Sequence, residues 1–387
     1  MNKICIASSG LGHVARGIEA WADDLASALA ARGEDVILCK GAGEPQRDID
    51  RVVPCWTRDA VKTRLLLRSL PAALGWRIGM GSGYAVEQTT FARNLIKVLR
   101  AEDVDVLHVQ DPFVALQVQK AHRRGRITTR TILAHGTEEP LDFQRQITYL
   151  QHLAPWHHGQ ARDAGLDRDG WTTIPNFIDT DHFRPGSNAA LRNELGIPRD
   201  ALVVLVAAAI KRKHKRIDYV VNEFRTLLDR HPDLPAWLVV AGGREPETDA
   251  LIAMANETLG DRVRFLVRFP RTRMADLYRA ADVFSLGSLK EMMPIALLEA
   301  TASGLPCLVH RHPVMQWMIG AGGRAIDLSL PGNLASAWAE WLTDPGESQR
   351  IGRAARQHCC DHFSTDVVVD QIMHYYRRVG DGRRRAA

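Results

Sequence analysis

The sequence of 387 residues lacks any uninterrupted apolar run of the roughly 18 residues that a membrane-spanning helix needs. It also lacks an apolar leader, because the strand-like segment KICIASS starts at residue 3, so we expect a cytoplasmic protein. It has no marked excess of charge of either sign, with 50 Lys and Arg against 45 Asp and Glu. Its overall composition therefore gives no reason to expect a nucleic-acid partner.

Cysteine is scarce and irregularly spaced. The six cysteines are Cys5, Cys39, Cys55, Cys307, Cys359 and Cys360. Their spacing matches neither a zinc site nor a disulfide framework, so we expect reduced and mostly buried thiols. What the chain does have is length and apolar content: 45% of its residues are hydrophobic, which is enough for two domains with separate cores.

Short apolar runs alternate with longer helical patterns along the chain. The runs are KICIASS, DVILCK, VDVLHVQ and TRTILAHG in the first half, then ALVVLVAAAI, AWLVVAG, VRFLVRF, DVFSLGS and LPCLVH. Helices are predicted between them, including one from about Arg16 to Ala31 and one over residues 146–153. This alternation predicts an α/β protein with parallel sheets, in two Rossmann-like halves.

The segment IPNFIDTDHFRPG, at residues 174–186, interrupts that alternation. We place the domain boundary near residue 185. An N-terminal domain then covers residues 1–185 and a C-terminal domain residues 186–365, while a last helix within 366–387 packs back on the first domain. Ligands of open α/β sheets bind beyond the carboxyl ends of the strands, so we expect the active site in a cleft between facing domains.

A glycine-containing turn, SSGLGHVARG at residues 8–17, lies between a predicted strand and a helix. Glycines there let backbone N–H groups approach a phosphate at the positive end of the helix. The pattern also fits the dinucleotide fingerprint G-x-G-x-x-A, which would indicate an NAD-dependent oxidoreductase. Against this, the second strand ends in Lys40 instead of the acidic residue that binds the ribose of NAD. Ligand contact and a purely structural turn both remain open.

A basic run, KRKHKR at residues 211–216, has five Lys or Arg in six positions between a predicted strand and a helix. Fixed cations at such a turn neutralise the charge of a leaving nucleoside diphosphate without a metal. We expect one or two of these side chains to contact phosphate and the others to be solvated.

Glu291 and Glu299 flank the segment MMPIALL. Pro294 suits the first position of a helix, which puts Glu291 in the preceding turn and Glu299 on the second helical turn. Carboxylates accept hydrogen bonds from pairs of sugar hydroxyls, so one can bind a donor sugar and the other a ribose. The alternative is the acid and base pair of a glycosidase, with carboxyl groups about 5 to 10 Å apart.

Histidines stand near the ends of two predicted strands. His135 is followed by Gly136 and is equally consistent with a ligand contact or a structural role, whereas we expect His108 to be structural. Four Asp-x-Asp pairs, at 48/50, 103/105, 167/169 and 179/181, fall in loops, turns, the linker or the wrong end of a strand. We therefore predict no metal site.

Five segments together resemble the family 4 glycosyltransferases, a large group of retaining enzymes with the GT-B fold of two Rossmann-like domains. The segments are RGIEAWADDLASALAARGEDV, HVQDP, IPNFIDTDHFRP, KRKHKRIDYVV and EMMPIALLEATASGLPCLV. The last is the most specific, since it joins the two glutamates to an A-x-G-x-P turn at Ala302, Gly304 and Pro306.

The resemblance implies roles for particular residues in donor binding. Gly12 and Gly17 would lie near the donor phosphates, and Lys215 would match the family lysine on the diphosphate. Ile210 stands where the family usually has an arginine, so Lys211 or Arg212 would be the second cation.

The resemblance also implies a catalytic group made of His135, Lys215 and Glu291. Glu291 would bind hydroxyls of the transferred sugar, Glu299 would bind the ribose, and His135 would lie near the reacting sugar. Met292 and Met293 replace the glycine-rich residues that usually follow the first glutamate, which indicates an unusual sugar pocket.

The implied function is transfer of a sugar from a nucleotide-sugar donor, for which a UDP-sugar is favoured. The transfer retains the anomeric configuration and uses no cofactor. The acceptor is a carbohydrate, a lipid-linked molecule or a small molecule. A GT-B epimerase or hydrolase and a dinucleotide-binding oxidoreductase are the alternatives.

Residues 56–78 interleave basic side chains with leucine and tryptophan, which gives this segment a basic amphipathic character. Such a segment either docks peripherally on the anionic inner face of a membrane or packs on the first domain with its basic face in water. We expect acceptor recognition to fall to the first half of the chain, especially residues 56–88.

Overall fold

The computed structural model of the protein describes residues 3–14 and 17–381. The predicted helix start at Arg16 and the arginines at the end of the chain lie outside the described residues. The chain divides into two compact units. The first contains the chain up to Pro175 and again from Val368, and the second is Asn176–Val367.

The first unit is built on a parallel sheet of seven strands in the order β3-β2-β1-β4-β5-β6-β7. The strands are β1 (Ile4–Ser8), β2 (Val36–Lys40), β3 (Asp50–Val52), β4 (Val106–Val109), β5 (Arg130–His135), β6 (Tyr149–His152) and β7 (Trp171–Thr173). The helices are α1 (Gly17–Ala31), α2 (Val61–Ser69), α3 (Ala72–Arg77), α4 (Gly83–Ala101), α5 (Pro112–Arg123), α6 (Leu141–Gln144) and α7 (Pro155–Asp163).

The second unit has a parallel sheet of six strands in the order β10-β9-β8-β11-β12-β13. The strands are β8 (Leu202–Ala207), β9 (Ala236–Gly242), β10 (Val263–Val267), β11 (Val283–Ser285), β12 (Cys307–His310) and β13 (Gly323–Ile326). The helices are α8 (Ala189–Glu194), α9 (Ile217–Arg230), α10 (Thr248–Leu259), α11 (Met274–Arg279), α12 (Ile295–Ala302), α13 (Pro313–Ile319), α14 (Asn333–Thr343) and α15 (Pro345–Phe363).

A last helix, α16 (Thr365–Asp381), contributes residues from Val368 onward to the first unit. The Tyr376 hydroxyl lies 2.8 Å from Nδ1 of His108, and the Tyr375 hydroxyl donates to the carbonyl of Gly170 at 2.6 Å. Burial lowers the pKa of His108 to about 3, so its imidazole is neutral and acts as a structural hydrogen-bonding group.

Strands β1 and β8 are almost entirely apolar, as expected for parallel strands that are buried on both faces. Every residue of β1 is buried, as are all residues of β8 after the first. Such continuous apolar runs are typical of parallel sheets. Helix α9 supplies the matching stripe, with Ile217, Val220 and Phe224 buried at helical spacing. A continuous apolar strand followed by a helix with an apolar stripe is the pattern that predicts an α/β protein from the sequence.

The prediction of a helix over residues 146–153 is wrong. That segment forms β6, which pairs in parallel with both β5 and β7. Its Leu150, Gln151 and His152 are all buried. A strand that is paired on both sides can bury polar residues as well as apolar ones. It then lacks the alternation of apolar and polar residues from which a strand is predicted, so a local window gives the wrong element.

Both sheets follow the Rossmann order, in which the strand sequence reverses direction next to the first strand. The reversal falls between β1 and β4 in the first unit and between β8 and β11 in the second. The connections that leave the carboxyl ends of these strands diverge, which leaves a crevice where a ligand can bind. The glycine turn follows β1, and the basic run follows β8.

Candidate functional site

In the second unit, two loops meet at the switch point between β8 and β11. Residues 208–216 lead from β8 to α9, and residues 286–294 lead from β11 to α12. Because the two strands are parallel neighbours, the basic run and Glu291 emerge at the same edge of the sheet.

Lys215 and Glu291 form a direct ion pair at this edge. Lys215 Nζ donates to Glu291 Oε1 at 2.5 Å, and only 17% and 7% of the two side chains are exposed. His214 Nε2 lies 3.6 Å from the other carboxylate oxygen of Glu291 and 2.9 Å from the carbonyl oxygen of Lys290. The structure thus brings together two predicted site residues and adds His214, which sequence reasoning did not assign.

The backbone of the basic run is held in an unusual conformation. His214 and Arg216 have positive φ angles of 74° and 51°. The Arg216 guanidinium donates to the carbonyls of Gly287, at 3.2 Å, and Leu328, at 2.9 Å, and lies 4.0 Å from the centroid of the Tyr219 ring. Arg216 is therefore an anchor for the loop and not a free cation.

Gly287 allows the basic run to approach the end of β11. A Cβ atom at this position would lie 2.8 Å from the backbone oxygen of Lys215. Contacts that short require movement of the backbone, so any side chain here would displace Lys215. No motif surrounds this glycine, so its role could not be predicted from the sequence.

The other predicted cations of the run are partly neutralised. Lys211 Nζ lies 3.9 Å from Glu245, and the guanidinium of Arg212 lies 3.5 Å from Asp218. The backbone N–H of Arg212 donates to Glu247 at 2.6 Å. Lys211 and Arg212 are placed beside Lys215 in the loop, and their contact with phosphate stays a prediction.

Ile210, which stands where the family usually has an arginine, is fully buried in the core of the second unit. No cation can project from that position. The nearest cation along the chain is Lys211, and the assignment of Lys211 or Arg212 as the second phosphate contact stays a prediction.

Glu299 lies on the second turn of α12, as predicted, and is buried. One of its carboxylate oxygens accepts a hydrogen bond from the Tyr278 hydroxyl at 2.7 Å. Burial, together with the charge of Glu299, raises the pKa of Tyr278 well above its usual value, so the tyrosine remains a donor. Tyr278 fixes the orientation of the carboxylate and was not identified from the sequence.

The segment that replaces the usual glycines after Glu291 is packed against the linker. Met293 is buried, and the backbone N–H of Asn176 donates to its sulfur at 3.0 Å. The side-chain amide of Asn176 donates to the carbonyl of Met293 at 3.1 Å. These contacts hold Met293 inward, so its side chain helps to shape the region next to Glu291.

In the first unit, the glycine turn after β1 is closely packed. Gly12 has φ of 98°, and a Cβ there would lie 2.1 Å from the carbonyl oxygen of Ala42. A Cβ on Gly10 would lie 2.2 Å from a carboxylate oxygen of Glu19. Gly12 is thus required by packing alone, whereas Gly17 is the exposed first residue of α1. Their contact with donor phosphates stays a prediction.

Two buried carboxylates support this turn. Asp111 accepts hydrogen bonds from the backbone N–H of Ser9, at 2.6 Å, and from the Tyr84 hydroxyl, at 2.7 Å. Burial raises the pKa of Asp111 against the opposing effect of these donors. Asp111 belongs to the HVQDP segment that carried the resemblance, and its visible role is to fix the backbone of the turn.

Glu87 is the second of these carboxylates, and no sequence motif marked it. It accepts hydrogen bonds from Arg58, at 2.5 Å, and lies 2.9 Å from Nε2 of His13 in the turn. Burial opposes ionisation of Glu87, but the hydrogen bonds from His13 and Arg58 lower its pKa to about 2. The carboxylate is therefore charged at neutral pH and holds His13 in place.

His135 ends β5 and is buried in a group of histidines. Its Nε2 lies 3.3 Å from Glu139, and its ring centroid is 5.8 Å from that of His152 and 6.0 Å from that of His157. Its Nδ1 has no hydrogen-bond partner among the described residues. His135 therefore has a buried, unpaired nitrogen, and its role near a reacting sugar stays a prediction.

Lys40 explains why the turn is not a dinucleotide site of the usual kind. Its ammonium group donates to the buried Asp50 at 3.0 Å and to the carbonyl of Glu44 at 2.5 Å. The end of β2 therefore presents a paired lysine where a dinucleotide site has a carboxylate for the ribose, which argues against an oxidoreductase.

The described residues contain no group of three or more His, Cys, Asp or Glu side chains arranged to hold a metal ion. No helix within residues 3–14 and 17–381 is both long enough and apolar enough to cross a bilayer.

Comparison with known sequences places both units in one family. Residues 15–182 match the description "Glycosyltransferase Family 4", and residues 187–358 match "Glycosyl transferases group 1". Among curated proteins, D-inositol 3-phosphate glycosyltransferases are similar. The enzyme from Acidothermus cellulolyticus is 32% identical over 58% of this chain and 51% of its own length. The enzyme from Nocardia farcinica is 32% identical over 67% of this chain and 60% of its own length. The chain spans about half the length of the first curated relatives it matches.

Solved structures show the same fold. Sucrose-phosphate synthase from Thermosynechococcus elongatus superposes with a TM-score of 0.77 at 17% identity, over 98% of this chain and 99% of its own. Anabaena HepE, in complex with UDP-glucose, superposes with a TM-score of 0.73 at 14% identity, over 98% and 100%. These similarities identify the fold as GT-B.

Proposed function

Because the chain belongs to glycosyltransferase family 4, we propose that it transfers a sugar from a nucleotide-sugar donor to an acceptor other than water, with retention of anomeric configuration. The observation that carries this proposal is the ion pair of Lys215 and Glu291 at the switch point of the second sheet. An epimerase or hydrolase is not favoured by the relatives.

A nucleotide sugar can bind at this ion pair by taking the place of one of its two partners. A diphosphate would replace Glu291 as the partner of Lys215, and the freed carboxylate of Glu291 would then accept hydrogen bonds from hydroxyls of the transferred sugar. Both groups are largely shielded from water, which strengthens their interaction with a ligand. Lys215 also immediately precedes α9 and its N-cap Arg216, so the positive end of the helix adds to its attraction for phosphate.

The remaining predicted residues complete the donor site in this proposal. Glu299, oriented by Tyr278, accepts the ribose hydroxyls. Lys211 or Arg212 binds the second phosphate, and the resemblance to the family also assigns Gly12 and Gly17 to the donor phosphates. His135 lies near the reacting sugar.

The mechanism we propose keeps the acceptor on the same face of the sugar as the leaving group. The bond from the anomeric carbon to the diphosphate breaks, and the departing diphosphate oxygen takes the proton of the acceptor hydroxyl as the new glycosidic bond forms. Lys215 stabilises the charge that develops on the diphosphate. No metal and no further cofactor is needed for that stabilisation, because the cation is fixed in place.

A UDP-sugar is the favoured donor, since HepE binds UDP-glucose and shares the fold. The acceptor is a carbohydrate, a lipid-linked molecule or a small molecule, and the D-inositol 3-phosphate glycosyltransferases suggest a phosphorylated polyol as one example to test. All six cysteines are free thiols, which favours a reducing compartment such as the cytoplasm.

The test is a thermal-shift screen against UDP-sugars, GDP-sugars and NAD(P), followed by assay of nucleotide release with the stabilising donor and a cell lysate as acceptor source. A ligand that binds only the folded protein raises the unfolding temperature. We expect stabilisation by a nucleotide sugar and release of its diphosphate that depends on the lysate. Stabilisation by NAD(P) alone would contradict the proposal.

A further inference from the structure

One stretch of the first unit concentrates the exposed apolar side chains. Nine large hydrophobic side chains are exposed among residues 3–14 and 17–381, and six of them lie between residues 56 and 78. The six are Trp56, Val61, Leu65, Leu74, Trp76 and Ile78. Isolated exposed hydrophobic residues are ordinary, but a concentration of this kind marks an interaction surface. We refer to residues 56–78 as the 56–78 surface.

Helix α2, at the centre of this surface, has apolar side chains on two opposite sides. At about 100° per residue, Thr63, Leu66 and Leu67 lie on one side of the helix. Thr63 is buried there, the leucines are half-buried, and α2 contacts α4. Val61 and Leu65 lie on the other side and are 68% and 59% exposed. The fold therefore uses one apolar side and leaves the second in water.

Cations surround the exposed apolar side. The same angular spacing puts Arg64 and Arg68 on one flank of Val61 and Leu65, and Lys62 on the other. Lys62 and both arginines are exposed, as is Arg77 next to Trp76.

The charge of the 56–78 surface is strongly positive. Its only carboxylate is Asp59, and its fifth cation, Arg58, is neutralised by Glu87. Four cations against one carboxylate leave a net charge of +3. Lys62 also lies 5.0 Å from the centroid of the Trp56 ring.

We propose that the 56–78 surface docks on a bilayer that contains anionic lipids. Apolar side chains in the centre enter the boundary between headgroups and acyl chains, while flanking Lys and Arg contact the lipid phosphates. Tryptophan is suited to this boundary, which fits Trp56 and Trp76. A second copy of the chain is a poorer partner, because it would bring one cationic surface against another.

The test is co-sedimentation of the full chain with vesicles of phosphatidylcholine alone and of phosphatidylcholine mixed with phosphatidylglycerol. Binding is measured without donor or acceptor, so it is independent of the proposed reaction. We expect binding to the mixed vesicles at low ionic strength and little to phosphatidylcholine. At about 1 M salt, where the Debye length is about 3 Å, most of the binding should be lost.

Two pairs of substitutions separate the apolar and electrostatic contributions. Val61→Asn with Leu65→Gln, and Arg64→Gln with Arg68→Gln, should each lower the vesicle partition coefficient by roughly tenfold or more. All four side chains are exposed, so the unfolding temperature should not fall. Leu330→Asn is the matched control, since Leu330 is exposed in the second unit, 54% to solvent, and should leave binding unchanged.

A chain ending at Asp381 is the second control, because Arg383, Arg384 and Arg385 would be removed with the tail. It should retain most of the binding. Absence of binding to the mixed vesicles, or equal binding by wild type and both double variants, would overturn the proposal. Loss of self-association in the apolar variant without any vesicle binding would also overturn it and would point to a second copy as the partner.

Discussion

Replacing Lys215 by alanine should slow turnover much more than it destabilises the protein. The substitution removes the cation that we propose stabilises the leaving diphosphate, without altering the core. Loss of one preorganised group of this kind lowers kcat by roughly 10²- to 10³-fold, or about 2.7 to 4 kcal/mol. The structure also gives a stability cost, because Glu291 loses the partner that lies 2.5 Å away.

That stability cost is limited. An unpaired buried acceptor costs about 1 to 3 kcal/mol, and more when it is charged as Glu291 is in the ion pair. Each kcal/mol lowers Tm by about 2 to 4 °C for a unit of this size. His214 Nε2 stays within 3.6 Å of the carboxylate and reduces the loss. The variant should therefore remain folded at 25 °C, and circular dichroism can verify this before the kinetic comparison.

The assay is release of nucleoside diphosphate at saturating donor, with Lys213→Ala as the matched control. Lys213 is exposed in the same loop and is not assigned to the site, so its loss should change kcat little. Lys215→Arg keeps the charge and should recover part of the rate. If Lys215→Ala turned over within about twofold of wild type, the charge-stabilisation argument would be wrong.

Three further outcomes are expected. Glu299→Gln should raise the donor Kd by roughly tenfold through loss of the ribose contact, and an unchanged Kd by calorimetry would remove Glu299 from the donor site. Gly287→Ala should lower turnover and cost about 1 to 3 kcal/mol, because its Cβ would press on the backbone oxygen of Lys215, and wild-type kinetics with an unchanged Tm would refute this. Burial lowers the pKa of His152 from 6.5 to about 2, so this residue destabilises the fold as pH falls below 6.5. His152→Phe should weaken that acid sensitivity, and parallel curves of Tm against pH for both proteins would contradict the assignment.

The fold was predictable because the apolar runs are long enough and regular enough to be read locally. β8 and α9 show this well, since a continuous apolar strand is followed by a helix with a stripe at Ile217, Val220 and Phe224. β6 was misread because its burial depends on β5 and β7, which a local window does not contain. Local periodicity contains no information about which distant segments pair in the sheet.

The same distinction applies to the candidate site. The basic run and Glu291 were found from their positions beside predicted strands and helices, and the resemblance to the family pointed to Lys215 within the run. The contact of Lys215 with Glu291 joins residues 76 positions apart and is a product of the sheet order. His214 lies beside Glu291, Gly287 lies beside the backbone of Lys215, and Tyr278 donates to Glu299. No motif spacing predicts these three contacts. The role of the glycines at the first turn likewise became clear only from the packing of Gly12 on Ala42.

The measurement that tests the central claim most directly is proton NMR of the reaction with the nucleotide sugar that most stabilises the protein, followed in time with an acceptor. The account predicts that the donor sugar signal is replaced by that of a glycoside with the same anomeric configuration, formed in proportion to the nucleoside diphosphate released. Free sugar as the only product would contradict transfer, and a glycoside of inverted configuration would contradict retention.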